Sequence, residues 1–178
     1  MPPLLRSLPP IVDERARVLI LGSMPGRQAL EERRYYANPQ NHFWRVIHRV
    51  FGAEPGPSYE ERVAFVQDKG IAMWDTLREC TRVGSLDRTI GDEVPNNING
   101  LLSRYPDIRC VFFNGAKSYR SFTKLVYLDP EVRRRLSLFP LPSTSPLNAH
   151  LSIEEKVSRW REVRRCLEQG SLADGRSS

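Results

Sequence analysis

Four short loops carry the residues of this sequence that could do chemistry. Each follows an apolar run and brings hydroxyl, amide, thioether or carboxylate side chains; their sequences are GSMPG (22–26), WDTL (74–77), NGAK (114–117) and PSTSP (142–146). Amides and hydroxyls can bind and orient a polar ligand, and a carboxylate can also exchange a proton. If the four loops meet, they form a polar crevice with catalytic potential.

The apolar runs predict the elements that would bring the loops together. Strands are expected over residues 17–21, 71–74, 108–113 and 138–141. Helices are expected between and after them, over 41–51, 59–69 and 118–126, with a last helix opened by a Ser152/Glu155 capping box and stopped at Gly170. Strands that alternate with helices imply right-handed crossovers and parallel pairing. The predicted fold is α/β, a three-layer αβα sandwich with a central, mostly parallel four-stranded sheet.

In such a sheet, ligands bind beyond the carboxyl ends of the strands, which is where all four loops are expected. We therefore predict one domain over residues 17–170, preceded by an N-terminal arm (1–16) and followed by a disordered tail (171–178). The full length of 178 residues is that of a single domain.

The charge balance is basic. Lys and Arg total 27 against 21 Asp and Glu, which gives a formal net charge of +6. A basic excess favours polyanionic partners, because neutralised phosphates release their condensed counterions. A solvated positive face would give the same balance, so charge alone does not choose between them.

The cysteines and histidines give no sign of a metal site. Cys80, Cys110 and Cys166 lie far apart and form no CxxC pair, which is typical of small core residues in a reducing cytosol and argues against a four-cysteine iron–sulfur cluster. The three histidines lack metal-ligand spacing. The first ten residues are too proline-rich for a signal peptide, and no run reaches membrane-spanning length. We expect a cytoplasmic protein with no metal, cofactor or membrane partner.

The first loop and the aromatic segment after it carry a family resemblance. GSMPG followed by YYANPQNHFW (35–44) resembles the first motif of the uracil-DNA glycosylase superfamily, especially its mismatch-specific branch. In that branch the strand ends in Gly-Ile-Asn-Pro-Gly, and the Asn orients the attacking water. Met24 stands at that position here, and a thioether cannot position water. Either the chain is inactive or another residue takes over.

Asn41 is the residue that could take over. The hypoxanthine-DNA glycosylase branch is similar in its GSxP strand end and its PQNxFW run, and the Asn of that run is taken as catalytic. The alternative is that Asn41 only caps the helix it precedes. The resemblance favours catalysis, and both roles are compatible if the amide also reaches the site.

Tyr36 and Asp75 are the candidates for recognising a base. Tyr36 falls where the mismatch enzymes stack an aromatic ring on the extruded base, with Tyr35 as a second candidate; core filling is the alternative. Asp75 occupies the position of an Asn in uracil-specific members. A carboxylate could accept from N1–H of hypoxanthine and would face an acceptor at N1 of adenine. Ser23 and Met24 of the first loop are assigned to base binding as well.

The charge of Asp75 conflicts with the chemistry, since a negative charge beside a departing anionic base slows its release. A raised pKa would remove the conflict. The alternative role of Asp75 is to cap the next turn.

The last loop resembles the second motif of the superfamily, which pinches the DNA backbone and fills the space left by the flipped base. Ser143 and Ser145 suit phosphate oxygens, and Leu147 falls at the wedge position. Many members have His or Asn where Leu141 stands, so stabilisation of the leaving base must come from elsewhere. An ordinary Ser/Pro loop is the alternative.

The NGAK turn resembles the segment that points a helix N-terminus toward DNA phosphates, which makes Asn114 and Lys117 candidate DNA contacts. A plain strand-to-helix turn is the alternative for Asn114.

The resemblance runs in order through four motifs between residues 18 and 149. It implies a monofunctional DNA glycosylase of base excision repair, which hydrolyses the N-glycosidic bond of a flipped deaminated base, above all hypoxanthine in deoxyinosine. The expected partner is double-stranded DNA, or single-stranded DNA, bound by a monomer. Two alternatives stay open: a mismatch-specific uracil/thymine-DNA glycosylase, and a non-catalytic binder of damaged or single-stranded DNA suggested by Met24.

Overall fold

The computed structural model describes the backbone of residues 1–174 and the side chains of residues 1–170. Within this part of the chain the strands are β1 Leu4–Arg6, β2 Val18–Gly22, β3 Ile71–Asp75, β4 Leu77–Thr81, β5 Gly91–Pro95, β6 Cys110–Asn114 and β7 Ser137–Leu141. The α-helices are α1 Arg27–Glu32, α2 Phe43–Val50, α3 Tyr59–Asp68, α4 Ile98–Arg104, α5 Ala116–Leu125, α6 Pro130–Arg135 and α7 Ile153–Asp174. A short 3₁₀ helix spans Asp87–Thr89.

The central sheet has four parallel strands in the order β3-β2-β6-β7, which confirms the predicted architecture. Its register sets the carboxyl ends side by side: Gly22 of β2 pairs with Asp75 of β3, and Asn114 of β6 pairs with Leu141 of β7. The strand order places β2 in the interior of the sheet, next to β3, so the GSMPG and WDTL loops lie beside each other. The predicted convergence of the loops therefore follows from strand register.

Alternating residues of β2 divide the core into two halves. Val18 and Ile20 pack with α2 and α7 on one face, while Leu19 and Leu21 pack with α4 and α5 on the other. All five residues of β2 are buried, as expected for an interior parallel strand covered on both faces. Helices on both faces complete the three layers.

A second sheet was not predicted from the sequence. β1, β4 and β5 form a three-stranded antiparallel sheet in the order β1-β4-β5, and only Thr76 separates β3 from β4. The segment after Trp74, where no strand was predicted before residue 108, thus contains β4 and β5. Their sequences do not alternate apolar and polar residues regularly enough to show a half-buried strand.

The N-terminal segment, expected to be a loose arm, is attached to the domain. β1 pairs with β4, and Ile11 forms a bridge with Met73 of β3. Leu8 is only 6% exposed, and its carbonyl accepts the indole N–H of Trp74 at 3.0 Å. This segment closes one side of the core that α2 and α7 cover.

The last helix departs from the prediction at one end only. The capping box forms as expected, with Ser152 Oγ accepting from Glu155 N–H at 3.1 Å and Glu155 Oε2 accepting from Ser152 N–H at 2.7 Å. The helix does not stop at Gly170 but continues to Asp174. Residues 175–178 of the predicted disordered tail lie outside the described residues. None of the described helices is both long and apolar enough to cross a membrane.

Truncating Leu8 tests whether the N-terminal segment belongs to the core. Leu8→Ala is expected to lower the free energy of unfolding by about 2–5 kcal/mol, because it opens a cavity among buried side chains. Leu4→Ala is the control, since Leu4 is 55% exposed, and should change stability by no more than ~0.5 kcal/mol. Urea denaturation measures both, and equal effects of the two variants would contradict the packing role of Leu8.

Candidate active site

A cavity of about 840 Å³ opens at the carboxyl edge of the central sheet. It is bounded by the ends of β2, β3 and β6, the segment between α1 and α2, the 3₁₀ helix and the loop after β7. Nine of the ten site residues proposed from sequence line it: Ser23, Met24, Tyr36, Asn41, Asp75, Asn114, Ser143, Ser145 and Leu147. The structure thus brings together residues from all four loops.

Lys117 is the one proposed residue outside the cavity lining. Its ammonium forms an ion pair with Glu93 of β5 at 2.8 Å, and both side chains are largely buried. Glu93 also accepts a hydrogen bond from Ser121 of α5. In this arrangement Lys117 joins α5 to the antiparallel sheet, and its role in DNA binding stays a prediction.

Asp75 is a buried carboxyl without a hydrogen-bond partner. It is 3% exposed, and no described group donates to its Oδ2. Burial raises the pKa of Asp75 to about 7, with Asp87 adding to the rise and Arg82 opposing it. An unpaired buried carboxyl is costly to the fold, and groups of this kind concentrate at functional sites.

Gly22 makes room for this carboxyl. A Cβ atom at position 22 would lie 2.5 Å from Asp75 Oδ1 and 3.4 Å from the Tyr36 hydroxyl. Any larger residue would therefore displace the end of Asp75. The first glycine of GSMPG is needed here for close approach, and it places the carboxyl and the phenol beside the same point of the cavity wall.

Tyr36 is held rigidly at the cavity. Its backbone has a φ of +54°, a strained conformation for a bulky residue. Its ring stacks on Phe43 with centroids 3.9 Å apart, and its hydroxyl accepts a hydrogen bond from Asn114 Nδ2 at 3.1 Å. Burial and the nearby Asp75 carboxyl raise the pKa of Tyr36, so the phenol stays neutral. Tyr35, the second candidate, is a buried anchor whose hydroxyl donates to Pro9 O at 2.8 Å.

Asn41 does cap the helix that follows it. Its Oδ1 accepts from the N–H of Phe43 at 2.9 Å, in the turn that opens α2. Because a backbone N–H needs an acceptor, this contact fixes which end of the amide is the oxygen. No described residue bonds to the amide nitrogen, and Asn41 lines the cavity. The capping oxygen and the free amide N–H groups are thus separate functions of one side chain.

Asn114 braces the loop after β7. Its Oδ1 accepts from Thr144 N–H and its Nδ2 donates to Thr144 Oγ1, both at 2.9 Å, while Thr144 O accepts from His42 N–H at 3.0 Å. Thr144 is fully buried and was missed in the sequence. With the contact to Tyr36, these bonds occupy the polar atoms of Asn114, which ties three cavity segments together.

The loop itself is organised by its serines. Ser143 Oγ accepts from Ser145 N–H at 3.1 Å, and Ser145 Oγ accepts from Leu147 N–H at 3.2 Å. Leu147 is 63% exposed at the cavity rim, so a large apolar side chain faces solvent beside the opening. Gly115 has a φ of +97°, and a Cβ atom at this position would lie 3.1 Å from Ser143 Cβ, so the glycine lets the loop pack closely against the start of α5.

Arg82 and Asp87 also line the cavity and were missed in the sequence. Arg82 is fully buried and donates to the carbonyls of Met24, Pro25 and Gly84 at 3.3, 2.7 and 3.1 Å. Asp87 Oδ1 accepts from Ser23 Oγ at 3.0 Å. Neither residue sits in a recognisable motif, so only the tertiary structure reveals them.

Met24 has a packing role in the GSMPG turn. It is buried and packs with Leu77 and Cys80 between the GSMPG turn and β4. Arg82 holds its carbonyl, so the turn is fixed from behind. Among the described residues there is no group of three or more His, Cys, Asp or Glu side chains that could hold a metal ion.

The chain belongs to the uracil DNA glycosylase superfamily, whose sequence model matches residues 9–164. It is 32% identical over 161 residues to a protein of Methanosarcina acetivorans named hypoxanthine DNA glycosylase, and 34% identical to one of the same name from Methanosarcina barkeri. Each alignment covers 89% of this chain and 96% of the relative. A solution NMR structure from M. acetivorans, provisionally assigned as a uracil DNA glycosylase, superposes with a TM-score of 0.78 at 33% identity, covering 93% of this chain and 99% of the other.

The stability of the protein should depend on pH through Asp75. Its pKa of about 7 in the fold exceeds the ordinary value of 3.8, so the folded state binds more protons between these values. Stability therefore falls as pH rises from about 4 to about 7. Asp75→Asn removes this loss, so its stability relative to wild type should rise across that range and then level off. Urea denaturation at pH 4–8 measures it; a constant difference would contradict the burial cost.

Proposed function

We propose that this chain is a monofunctional DNA glycosylase that removes hypoxanthine from deoxyinosine in DNA during base excision repair. The observation that carries the proposal is a single cavity lined by both the free amide of Asn41 and the unpartnered carboxyl of Asp75. The names of the two Methanosarcina relatives support the same reaction. The partner is DNA, and we propose that the chain binds the damaged duplex as a monomer.

Asp75 is proposed to read the edge of the flipped base. Hypoxanthine presents N1–H as a donor next to O6 as an acceptor. A protonated carboxyl has one acceptor and one donor, which match this edge, while an ionised carboxyl can only accept from N1–H. With a pKa near 7, Asp75 can be neutral while the base departs, which removes the repulsion expected for a fixed negative charge. The O–H of the neutral form can also stabilise O6 of the leaving base, in place of a polar residue at Leu141.

Tyr36 and the last loop are proposed to hold the extruded nucleotide. Tyr36 is fixed by Phe43 behind its ring and can offer its cavity side to the base. Leu147 can enter the stack of the duplex from the rim, and the serine hydroxyls and loop amides can contact phosphate oxygens. This division leaves Ser23 and Met24 as the floor of the base pocket.

The chemistry is hydrolysis without a covalent intermediate. The bond between C1′ and N9 breaks with its electron pair going to the base, and C1′ acquires oxocarbenium character. The Asn41 amide N–H donates to the lone pair of a water and holds it for attack on C1′. No lysine is found among the described residues that line the cavity, which supports hydrolysis rather than an amine-initiated lyase reaction.

One alternative has a specific observation in its favour. Uracil and thymine also present an N–H beside a carbonyl oxygen, so the Asp75 carboxyl could bind them in the same way. A mismatch-specific uracil/thymine glycosylase would therefore use the same cavity. A non-catalytic DNA binder, suggested by Met24, would retain the cavity but release no base.

A substrate panel separates these functions. Labelled duplexes containing inosine, uracil, a T·G mismatch or only normal bases are incubated with the protein and then treated with alkali, which cleaves abasic sites. We expect scission at inosine, and none without alkali. Faster release of uracil or thymine would establish the alternative glycosylase, and no scission on any duplex despite binding would establish the DNA binder.

A cap-preserving substitution tests Asn41. Serine is also a good capping residue but is too short to reach the water, so Asn41→Ser should keep stability within ~0.5 kcal/mol and lower the single-turnover excision rate at least ~100-fold. Asn41→Ala should lose about 1 kcal/mol of stability as well as activity. Asn97→Ser is the control. Asn97 caps α4 by accepting from Gly100 N–H at 2.9 Å, and it does not line the cavity. Full activity in Asn41→Ser would contradict the catalytic role of Asn41 and leave it only the capping role.

A further inference from the structure

Hydrolysis requires a group that accepts a proton. As water attacks C1′, its oxygen forms the new C–O bond, the electron pair of the old C–N bond goes to the base, and one proton must leave the water. Asn41 cannot take this proton. A carboxamide is too weak a base to be protonated at neutral pH: its oxygen here accepts from Phe43 N–H, and its nitrogen is a donor only. The water therefore needs a second residue in the same cavity.

Few cavity groups can act as this acceptor. Tyr36 is a neutral phenol, the guanidinium of Arg82 has no acceptor, and the proton of Ser23 Oγ already points to a carboxylate. The described carboxyls that line the cavity are Asp75 and Asp87. The choice is between these two.

Asp87 is better placed for this role than Asp75. Asp75 lies deep at the end of β3, in contact range of Gly22, where it is proposed to face the base edge. Asp87 lies on the 3₁₀ helix and is more exposed to solvent than Asp75, with one oxygen bound to Ser23 Oγ. No described residue donates to its other oxygen, Oδ2. Ser23 immediately precedes Met24, so Asp87 supplies a proton acceptor next to the turn position that a thioether occupies.

We propose that Asp87 is a catalytic residue of this glycosylase, the carboxylate that accepts the proton of the water held by Asn41. The inference rests on the proposed function, because it needs a hydrolytic reaction in this cavity. Ser23 is then a positioning residue, since its hydroxyl fixes Oδ1 of Asp87 and leaves Oδ2 for the water. Arg82 keeps the opposite side of the turn in place without a direct ion pair to either carboxyl.

The pKa of Asp87 is raised above its ordinary value, so this carboxyl takes up a proton more readily than an unperturbed aspartate. Burial raises the pKa of Asp87, while the Ser23 hydroxyl, Arg82 of the β4–β5 connection, and Lys117 and Arg120 of α5 lower it. Asp87 in turn contributes to the raised pKa of Asp75 across the cavity. A base must be ionised to act, so the excision rate should fall on the acid side as Asp87 is protonated. It should fall on the alkaline side as Asp75 loses its proton.

The test compares Asp87→Asn with wild type in single-turnover excision of hypoxanthine from an inosine duplex. Asparagine can keep the acceptor for Ser23 but cannot take a proton. The expected result is a rate at least ~100-fold lower, with duplex affinity within ~3-fold of wild type, and loss of the acid limb of the pH–rate profile. Asp92→Asn is the matched control, because Asp92 is an exposed carboxylate on β5 outside the cavity, and it should keep the wild-type rate.

A second variant distinguishes the loss of a proton acceptor from a structural defect caused by the substitution. Asp87→Ala leaves space for a small carboxylate, so added formate should restore part of its rate but none of the rate of Asp87→Asn. Wild-type rates in Asp87→Asn, or a lowered rate that keeps its acid limb and is not rescued by formate in Asp87→Ala, would overturn the role of Asp87. If the wild-type protein itself releases no base from any duplex of the substrate panel, the proposed function fails instead, and the two failures are distinct.

Discussion

Gly22 and Asp75 stand opposite each other in the register of β2 and β3, and the site depends on this pair. The parallel register sets their positions, and the missing Cβ of Gly22 admits the carboxyl at a distance that no other residue would allow. Burial without a donor then keeps the proton on Asp75 up to about neutral pH. The register of the two strands thus determines where the Asp75 carboxyl is buried, and this burial determines its protonation state.

Hydrogen bonds from side chains to backbone hold the remaining segments around this pair. Asn114 fixes the loop after β7 and the hydroxyl of Tyr36, while Trp160 of α7 donates to Pro142 O at 3.0 Å. Arg82 does the same for the GSMPG turn by donating to its carbonyls. Such bonds fix the geometry of the cavity before a ligand arrives.

The sequence predicted the parallel sheet because the apolar runs of β2 and β6 are short, buried on both faces and followed by turn residues. Nine of the ten proposed site residues line the cavity, because the polar loops follow strand ends that parallel pairing places side by side. Arg82, Asp87 and Thr144 could not be predicted in this way, since long-range contacts place them: Arg82 is 58 residues from Met24, and Asp87 is 64 from Ser23. The pairing of Lys117 with Glu93 likewise depends on how α5 meets β5.

The two carboxyls of the cavity lie on parts of the chain with different freedom to change. Asp75 ends β3, an edge strand of the central sheet whose residues are mostly buried and paired along its length with β2, so substitutions around it disturb the core. Asp87 lies in the connection between two antiparallel strands, β4 and β5. Insertions or deletions between Thr81 and Gly91 would reshape one wall of the cavity and leave the parallel sheet intact. Changes in this single connection therefore alter the shape of the cavity without altering the strands that hold Asp75 in place.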